Sequence, residues 1–498
     1  MKRKKLKIFH IASEVEPFSK TGGLASITSS LPRMQKELGH DVAVITPFYE
    51  GLINLKDHPV EEIFSEELLI NDIKYPVSYL KGYLSHDLPI YFIADKKFFK
   101  PREKIYGSRS ENSRFFFFDI AALSLIKKLE QSPDIIHCHD WHTGLIPYFL
   151  KGRYKSDPFW ENTATLFTIH NLVYQLGHDW WLIPDDKRDD GRSALPHLHE
   201  TERVETINFA KRAIMTADAI NAVSETYKDE IMTKNFGEEL HRILKNREER
   251  IFGIVNGIDY DDYNPVTDPG LTSNYNYESY KKKAINKEWL QKHFKLKVDP
   301  QIPIICMTSR IVEQKGFHLL IEVLPVILKL DLQFIIMGDG SDKTILSALE
   351  KIQKKFPRKF VLQNPFLHKY ETSLYAGSDI FLLPSRFEPC GINQMIALRY
   401  GCIPVVHHIG GLADTIVNFS VRKKTGNGFT FKEYGALDLI IALTRAIENY
   451  KHPETWKELV ISGLKEANSW KIPAKKYIDL YRVTFKLKKK NGHNGHSK

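Results

Sequence analysis

Short apolar runs, each closing on a glycine or polar cluster and followed by an amphipathic stretch, recur along this chain in two series. That alternation limits the possible folds more than any other feature. In the first series, residues 7–13 read as a buried strand, followed by a glycine-rich turn and a helix through 27–38. Residues 41–46, 134–139, 165–169, 219–223 and 253–255 read as further strands. Runs that are apolar throughout mark strands covered on both faces, so the pattern predicts a parallel sheet between layers of helices. Residues 256–300, rich in Asn, Asp, Tyr, Lys and Pro, read as a linker with one helix near 280–293. The second series places strands at 302–308, 333–337, 359–362, 380–384 and 403–406, with helices at 317–328, 343–354, 371–377 and 393–400 between them. The expected organisation is two doubly wound α/β domains, 1–255 and 256–470. A C-terminal segment, 471–498, follows: helical spacing over 473–486 suggests a helix packing back on the first domain, then a basic tail.

A chain of 498 residues, 42% hydrophobic, has ample material for two cores. Its four cysteines (Cys138, Cys306, Cys390 and Cys402) form no C-x-x-C pair and are too scattered for a disulfide framework. No apolar run reaches a membrane-spanning length; the richest, 115–126, is interrupted by Asp119. The basic start, 2–5, leads into the first strand without the apolar core of a secretory signal, so a cytoplasmic protein is expected. The formal charge of +10 raises a nucleic-acid partner, yet much of the excess sits in 2–5 and in Lys486, Lys488, Lys489 and Lys490. Such runs read as solvated tails, and a positive surplus also suits a small anionic substrate. Neither a nucleic-acid nor a membrane partner is expected.

Polar clusters at the predicted strand ends carry the chemistry. Lys20-Thr21-Gly22-Gly23-Leu24 follows the first strand at the start of a helix, where backbone amides can approach an anion or a sugar edge. Its simpler reading is a tight strand-to-helix turn. It is neither a Walker A loop nor a dinucleotide fingerprint. His137-Cys138-His139-Asp140-Trp141-His142 suggests a metal at first sight, but His137 and His139 share one strand face while Asp140 and His142 lie past the strand's end. A sugar site, with a ring stacked on Trp141 and hydroxyls bonded to Asp140, suits the aromatic and the carboxylate better. His170, in Thr168-Ile169-His170-Asn171, stands at a third strand end. In the second series, Arg310 ends a strand and Lys315-Gly316 follows at a helix entry, a pair of cations suited to a diphosphate. Further on, Pro384-Ser385-Arg386-Phe387-Glu388-Pro389-Cys390-Gly391 precedes a helix whose first amides, at Gly391 and Ile392, can bind a phosphate, while Glu388 can accept from sugar hydroxyls. Gly410-Gly411 adds another flexible turn. Sugar-binding groups on one domain and diphosphate-binding groups on the other are what transfer from a nucleotide sugar needs.

The ordered set KTGGL, HCHDWHTGL, TIHN, NGID, SR-x4-KG, PSRFEPCGINQ and GGLADT resembles bacterial glycogen synthases and plant starch synthases, over about residues 8–420. Arg114 and the run 221–227 fit the same family. The resemblance implies a GT-B fold: two Rossmann-like doubly wound domains facing across a deep cleft that closes on substrate. It implies transfer of glucose, with retention, from ADP-glucose to the non-reducing end of an α-1,4-glucan such as glycogen, with no cofactor and no required metal. It puts Lys20 and the amides of Gly22 and Gly23 near the donor, Asp140 and His170 on the transferred glucose, and the His170 carbonyl near the anomeric carbon. Arg310 and Lys315 would neutralise the diphosphate, Glu388 would bind glucose hydroxyls, and the amides at Gly391 and Ile392 a phosphate. Asn256, in NGID, is assigned to the substrate site.

The sequence departs from the family pattern at Tyr263, where Trp is usual, and at Ile409, where Thr is common. Gln175-Leu176-Gly177-His178 differs from the usual Gln-Gly step and suggests an altered acceptor-side loop. Position 396 is Ile rather than the second glutamate of related retaining transferases, as in the synthases themselves. The competing readings are a related enzyme using UDP-glucose or another acceptor, and a non-catalytic glucan-binding relative. A nicotinamide dehydrogenase would need the absent G-x-G-x-x-G.

Overall fold

The computed structural model describes residues 5–85, 87–99, 104–177, 180–466 and 468–493, with side chains to 489. Residues 2–4 of the basic start, His178 and the side chain of Lys490 lie outside the described residues. The chain forms two compact units, Met1–Ile254 with Trp470–Lys498, and Val255–Ser469.

The first unit is built on β1 (Lys7–Ile11), β2 (Asp41–Pro47), β3 (Glu61–Ile70), β4 (Ile73–Ser85), β5 (Leu88–Ala94), β6 (Ile135–His139), β7 (Ala164–Ile169), β8 (Ala219–Ala222) and β9 (Ile251–Gly253). They form one sheet in the order β3-β4-β5-β2-β1-β6-β7-β8-β9. From β5 to β9 every pairing is parallel. β3 and β4 add an antiparallel excursion, so the sheet is mixed rather than purely parallel as expected. The cause is visible in β3: Glu61, Glu62, Glu66 and Glu67 break its apolar content and most of the strand is exposed. A charged, half-solvated edge of this kind discourages pairing with another chain and carries none of the continuous apolar signature of a central strand.

The C-terminal helix Lys471–His493 belongs to this unit. It buries Ala474, Tyr477, Ile478 and Tyr481 against Ile8, Leu31, Ile135 and Leu166. The Asn221 side chain donates to the Tyr477 hydroxyl at 2.9 Å. Lys488, expected in a solvated tail, instead donates to the carbonyls of Trp160 and Thr163, and burial lowers its pKa. The stem of such a lysine packs on the fold while its ammonium bonds carbonyls just ahead of β7.

The second unit is a parallel sheet of β10 (Ile304–Thr308), β11 (Gln333–Met337), β12 (Phe360–Gln363), β13 (Ile380–Leu383), β14 (Ile403–His407) and β15 (Phe429–Phe431). Their order is β12-β11-β10-β13-β14-β15. The connection leaves β10 toward β11 on one side and returns to β13 on the other, which opens a crevice above the carboxyl ends of β10 and β13. Residues 256–300 are not a linker. Tyr275, Leu290 and Leu296 lie in this unit's core, and the buried Lys283 ammonium donates to the carbonyls of Tyr375, Ala376 and Tyr400. Polar residues that are buried but fully partnered look like a linker in sequence. Among the described residues, no helix is long and apolar enough to cross a membrane.

Candidate active site

Three neighbouring strands of the first unit, β1, β6 and β7, deliver Glu14, Asp140 and His170 at their carboxyl ends. Asp140 sits at φ 61°, ψ 175°, a conformation non-glycine residues rarely adopt. Its backbone is held there: the Asp140 amide donates to the Thr168 carbonyl at 3.0 Å. Its Oδ1 accepts from the His170 amide at 2.8 Å and from the Gln175 side chain at 2.7 Å. Both bonds go to one oxygen, Oδ1. Strained backbone sustained by surrounding bonds is characteristic of functional positions. Burial pushes the Asp140 carboxyl up to about 7, against the pull of the His170 amide and Gln175. Gln175, which the sequence suggested as part of an altered acceptor-side loop, is buried, and its Oε1 accepts from the Trp141 amide at 2.8 Å. It orients Asp140.

The K-T-G-G turn is organised by a residue the motif reading passed over. The Glu14 carboxylate accepts from the amides of Thr21 and Gly22 and, at 3.3 Å, from the Tyr106 hydroxyl. The Gly22 amide, expected on the donor, is therefore taken by Glu14. Gly22 precedes the helix Gly23–Glu37, and a Cβ at Gly22 or Gly23 would meet nothing within 4 Å, so both positions border open space. Lys20, expected on the donor's diphosphate, is exposed and paired with Glu16 at 2.8 Å.

Trp141 does not offer a sugar-stacking face. It is 6% exposed and packs against Phe115, His142 and Phe209, because the turn after β6 folds its ring into the core. Arg114 is likewise internal, donating to the carbonyls of Phe98 and Ile105 and paired with Glu111 at 2.8 Å. His10, His137 and His139 are a buried group whose nitrogens lie close enough to share a metal ion. All six of those ring nitrogens are already engaged in hydrogen bonds within the protein.

In the second unit the crevice above β10 and β13 collects the remaining residues. Arg310 follows β10 and is exposed. Lys315 ends a short turn, Glu313–Lys315, and its ammonium lies 2.5 Å from Glu388 Oε2. Ser385 Oγ donates to the same oxygen at 3.0 Å. Glu388 is 7% exposed, so the pair is shielded from water and its geometry is preset. Gly316 makes this juxtaposition possible: it adopts φ +80°, and a Cβ there would lie 2.1 Å from the Pro384 carbonyl oxygen. Gly316→Ala is expected to destabilise this unit by about 2–4 kcal/mol in urea unfolding, combining left-handed strain with the clash. A loss below about 1 kcal/mol would show that the two loops are not held this tightly.

Gly391, at φ +68°, and Ile392 lead into the helix Asn393–Arg399, which Asn393 ties to β10 through the Thr308 carbonyl at 3.0 Å. The Gly411 amide donates to the Glu388 carbonyl at 3.0 Å. Asn256, expected in the substrate site, is buried with its backbone and side chain bonded to the Cys390 thiol, so it shapes the 388–391 turn from behind. Burial pushes that thiol up to about 12, which leaves it unreactive.

Two doubly wound units, one with a carboxylate and an imidazole at its strand ends and one with a shielded lysine–carboxylate pair at its switch point, define a GT-B glycosyltransferase. Comparison with known proteins narrows the class. Residues 7–246 match the starch synthase catalytic domain, and residues 290–460 match the glycosyl transferases group 1. The chain is 41% identical to a glycogen synthase of Geotalea daltonii, covering 97% of this chain and 100% of that one. It is 39% identical to a glycogen synthase of Desulforamulus reducens, over 96% and 98% of the two chains. Among solved structures it is similar to the catalytic domain of starch synthase IV from Arabidopsis thaliana bound to ADP and acarbose. That likeness has a TM-score of 0.85 and 31% identity, over 97% of this chain and 100% of that one. The chain belongs to the glycogen synthase family of retaining glucosyltransferases.

Proposed function

We propose that this chain transfers glucose, with retention, from ADP-glucose to the 4-hydroxyl at the non-reducing end of an α-1,4-glucan, releasing ADP, in glycogen biosynthesis. The observation that carries the reading is the Lys315–Glu388 pair at the switch point of the second sheet. A preset cation there stabilises the charge that develops on a departing nucleoside diphosphate, usually the largest contribution to such a reaction. Arg310 adds a second cation. Glu388 holds the Lys315 ammonium through Oε2, and its Oε1 accepts from glucose hydroxyls. Asp140 Oδ2 and His170 bind the glucose, and the His170 carbonyl lies beside the anomeric carbon. The acceptor hydroxyl attacks the face that the diphosphate leaves. Its proton passes to the departing phosphate oxygen as the glycosidic bond forms and the sugar–phosphate bond breaks.

With two cations assigned to the diphosphate, the reading includes no required metal and no cofactor. The ADP in the starch synthase neighbour supports an adenine donor, and relatives named glycogen synthase support a glycogen acceptor. The four free, buried cysteines suit a reducing compartment, the cytoplasm. The test is glucose transfer to glycogen from ADP-glucose and UDP-glucose side by side, with and without chelator. Chelator-insensitive transfer favouring ADP-glucose is expected. Preference for UDP-glucose would overturn the donor assignment, and loss of activity in chelator would overturn the metal-free mechanism.

A further inference from the structure

Four histidines are buried side by side in the first sheet: His10 on β1, His137 and His139 on β6, and His170 after β7. Burial lowers the pKa of every one, His10 to about 4 and His170 to about 3. At pH 7 each ring is therefore neutral, with one N–H and one lone pair. They are joined ring to ring. His170 Nε2 lies 3.0 Å from His139 Nδ1, and His139 Nε2 lies 3.0 Å from His10 Nδ1. His10 Nε2 then meets Gln35 Oε1 at 2.8 Å. The Gln35 Nε2 donates to the Tyr481 hydroxyl at 3.0 Å, and that hydroxyl lies 2.8 Å from His137 Nδ1. His137 Nε2 closes on Thr168 Oγ1 at 2.7 Å.

In such a chain, fixing one proton fixes all the others. The carbonyl oxygen of Gln35 can only accept, so His10 carries its proton on Nε2 and offers Nδ1 as a lone pair. His139 must then donate from Nε2 and accept at Nδ1, and His170 must donate from Nε2. His170 is left with a bare Nδ1, a buried nitrogen without a partner among the described residues. An amide turned the other way would reverse every bond and make the same nitrogen a donor. In the present sense the Gln35 Nε2 donates to the Tyr481 hydroxyl, which is left to give its own proton to His137 Nδ1.

We propose that Gln35 and Tyr481 are positioning residues that fix the Nε2–H tautomer of His170 through His10 and His139. His170 Nδ1 is thereby a dedicated acceptor for a hydroxyl of the bound sugar. The second half of this proposal rests on the reading that His170 holds the transferred glucose. Neither Gln35 nor Tyr481 needs to touch substrate; the C-terminal helix acts on His170 at a distance through Tyr481.

The test separates the two halves. In the free enzyme labelled with 15N-histidine, with His170 assigned by loss of its signals in His170→Gln, the expected spectrum has Nε2 protonated and Nδ1 bare from pH 6 to 9. Gln35→Met and Tyr481→Phe are expected to shift His170 toward a mixture of tautomers. A protonated Nδ1 in the wild type, or a tautomer unmoved by both Gln35→Met and Tyr481→Phe, would overturn the relay. In glucosyl transfer, Gln35→Met and Tyr481→Phe are expected to lower kcat/KM about three- to tenfold, the scale of one neutral hydrogen bond. A tautomer that shifts as expected with kcat/KM unchanged would leave the relay standing and overturn the contact between His170 and the sugar.

Discussion

Replacing Lys315 by alanine is expected to lower glucosyl transfer by about 10²- to 10³-fold, with kcat falling at least as far as kcat/KM. Removing one preset group that meets charge developing in a transition state costs on that scale. The structure adds a second consequence. Glu388 is 7% exposed and keeps only the Ser385 hydroxyl on the oxygen it shares with Lys315. Breaking a buried pair from one side leaves an uncompensated carboxylate, so Lys315→Ala also costs stability, by about 1–3 kcal/mol given the retained hydroxyl. The double variant Lys315→Ala/Glu388→Gln is expected to recover most of that stability and none of the activity. Urea unfolding read beside steady-state transfer distinguishes the two effects. Activity of the single variant within tenfold of wild type would remove Lys315 from the chemistry.

Asp140→Asn is expected to lower transfer by about 10²-fold or more and, unusually for an active-site change, to raise stability at alkaline pH. The sign follows from the direction of the shift. The Asp140 carboxyl is raised by burial from 3.8 to about 7, so between those values the folded protein keeps a proton that the unfolded chain gives up. Its contribution to stability is complete below pH 3.8, declines across that window and is lost above about 7. Asparagine does not ionise. Its carbonyl oxygen still accepts from the His170 amide and Gln175, and asparagine tolerates the positive φ at this position. The stability difference between variant and wild type is therefore expected to grow from pH 4 to pH 8, reaching about 1–3 kcal/mol. A difference independent of pH would show that Asp140 is ionised in the folded protein throughout that range.

Much of the fold was legible because its central strands are apolar without interruption. Gln333–Met337 in β11 and Ile380–Leu383 in β13 have no competing periodicity, and the turns that follow carry their own signatures. β3 was invisible for the opposite reason: an antiparallel edge facing solvent spreads its few apolar residues among glutamates. β5, apolar and mostly buried, carried the signature of a central strand and was passed over. Residues 256–300 misled because Lys283 and Asn286 are buried and partnered, a condition that composition does not reveal. At the site, local motifs singled out Asp140, His170, Lys315 and Glu388, since a carboxylate, a glycine turn or a cation at a strand end has meaning within a few positions. The residues that arrange them were not singled out. Glu14 is invisible as the organiser of the K-T-G-G turn until β1 and the helix after it are placed. Gln35 and Tyr481 are 446 positions apart, and only the return of the C-terminal helix makes them neighbours. Trp141 shows the converse: its place beside Asp140 in sequence suggested a sugar platform, but the turn buries it.

The central claim is transfer with retention to the non-reducing 4-hydroxyl of an α-1,4-glucan. It is tested most directly by incubating the protein with glycogen and ADP-[14C]glucose, then digesting the isolated polymer with β-amylase, which removes maltose from α-1,4-linked non-reducing ends. The account predicts that the label enters the polymer and is released as maltose. Label that stays in the β-amylase-resistant core, or that appears only as free glucose without entering the polymer, would contradict it.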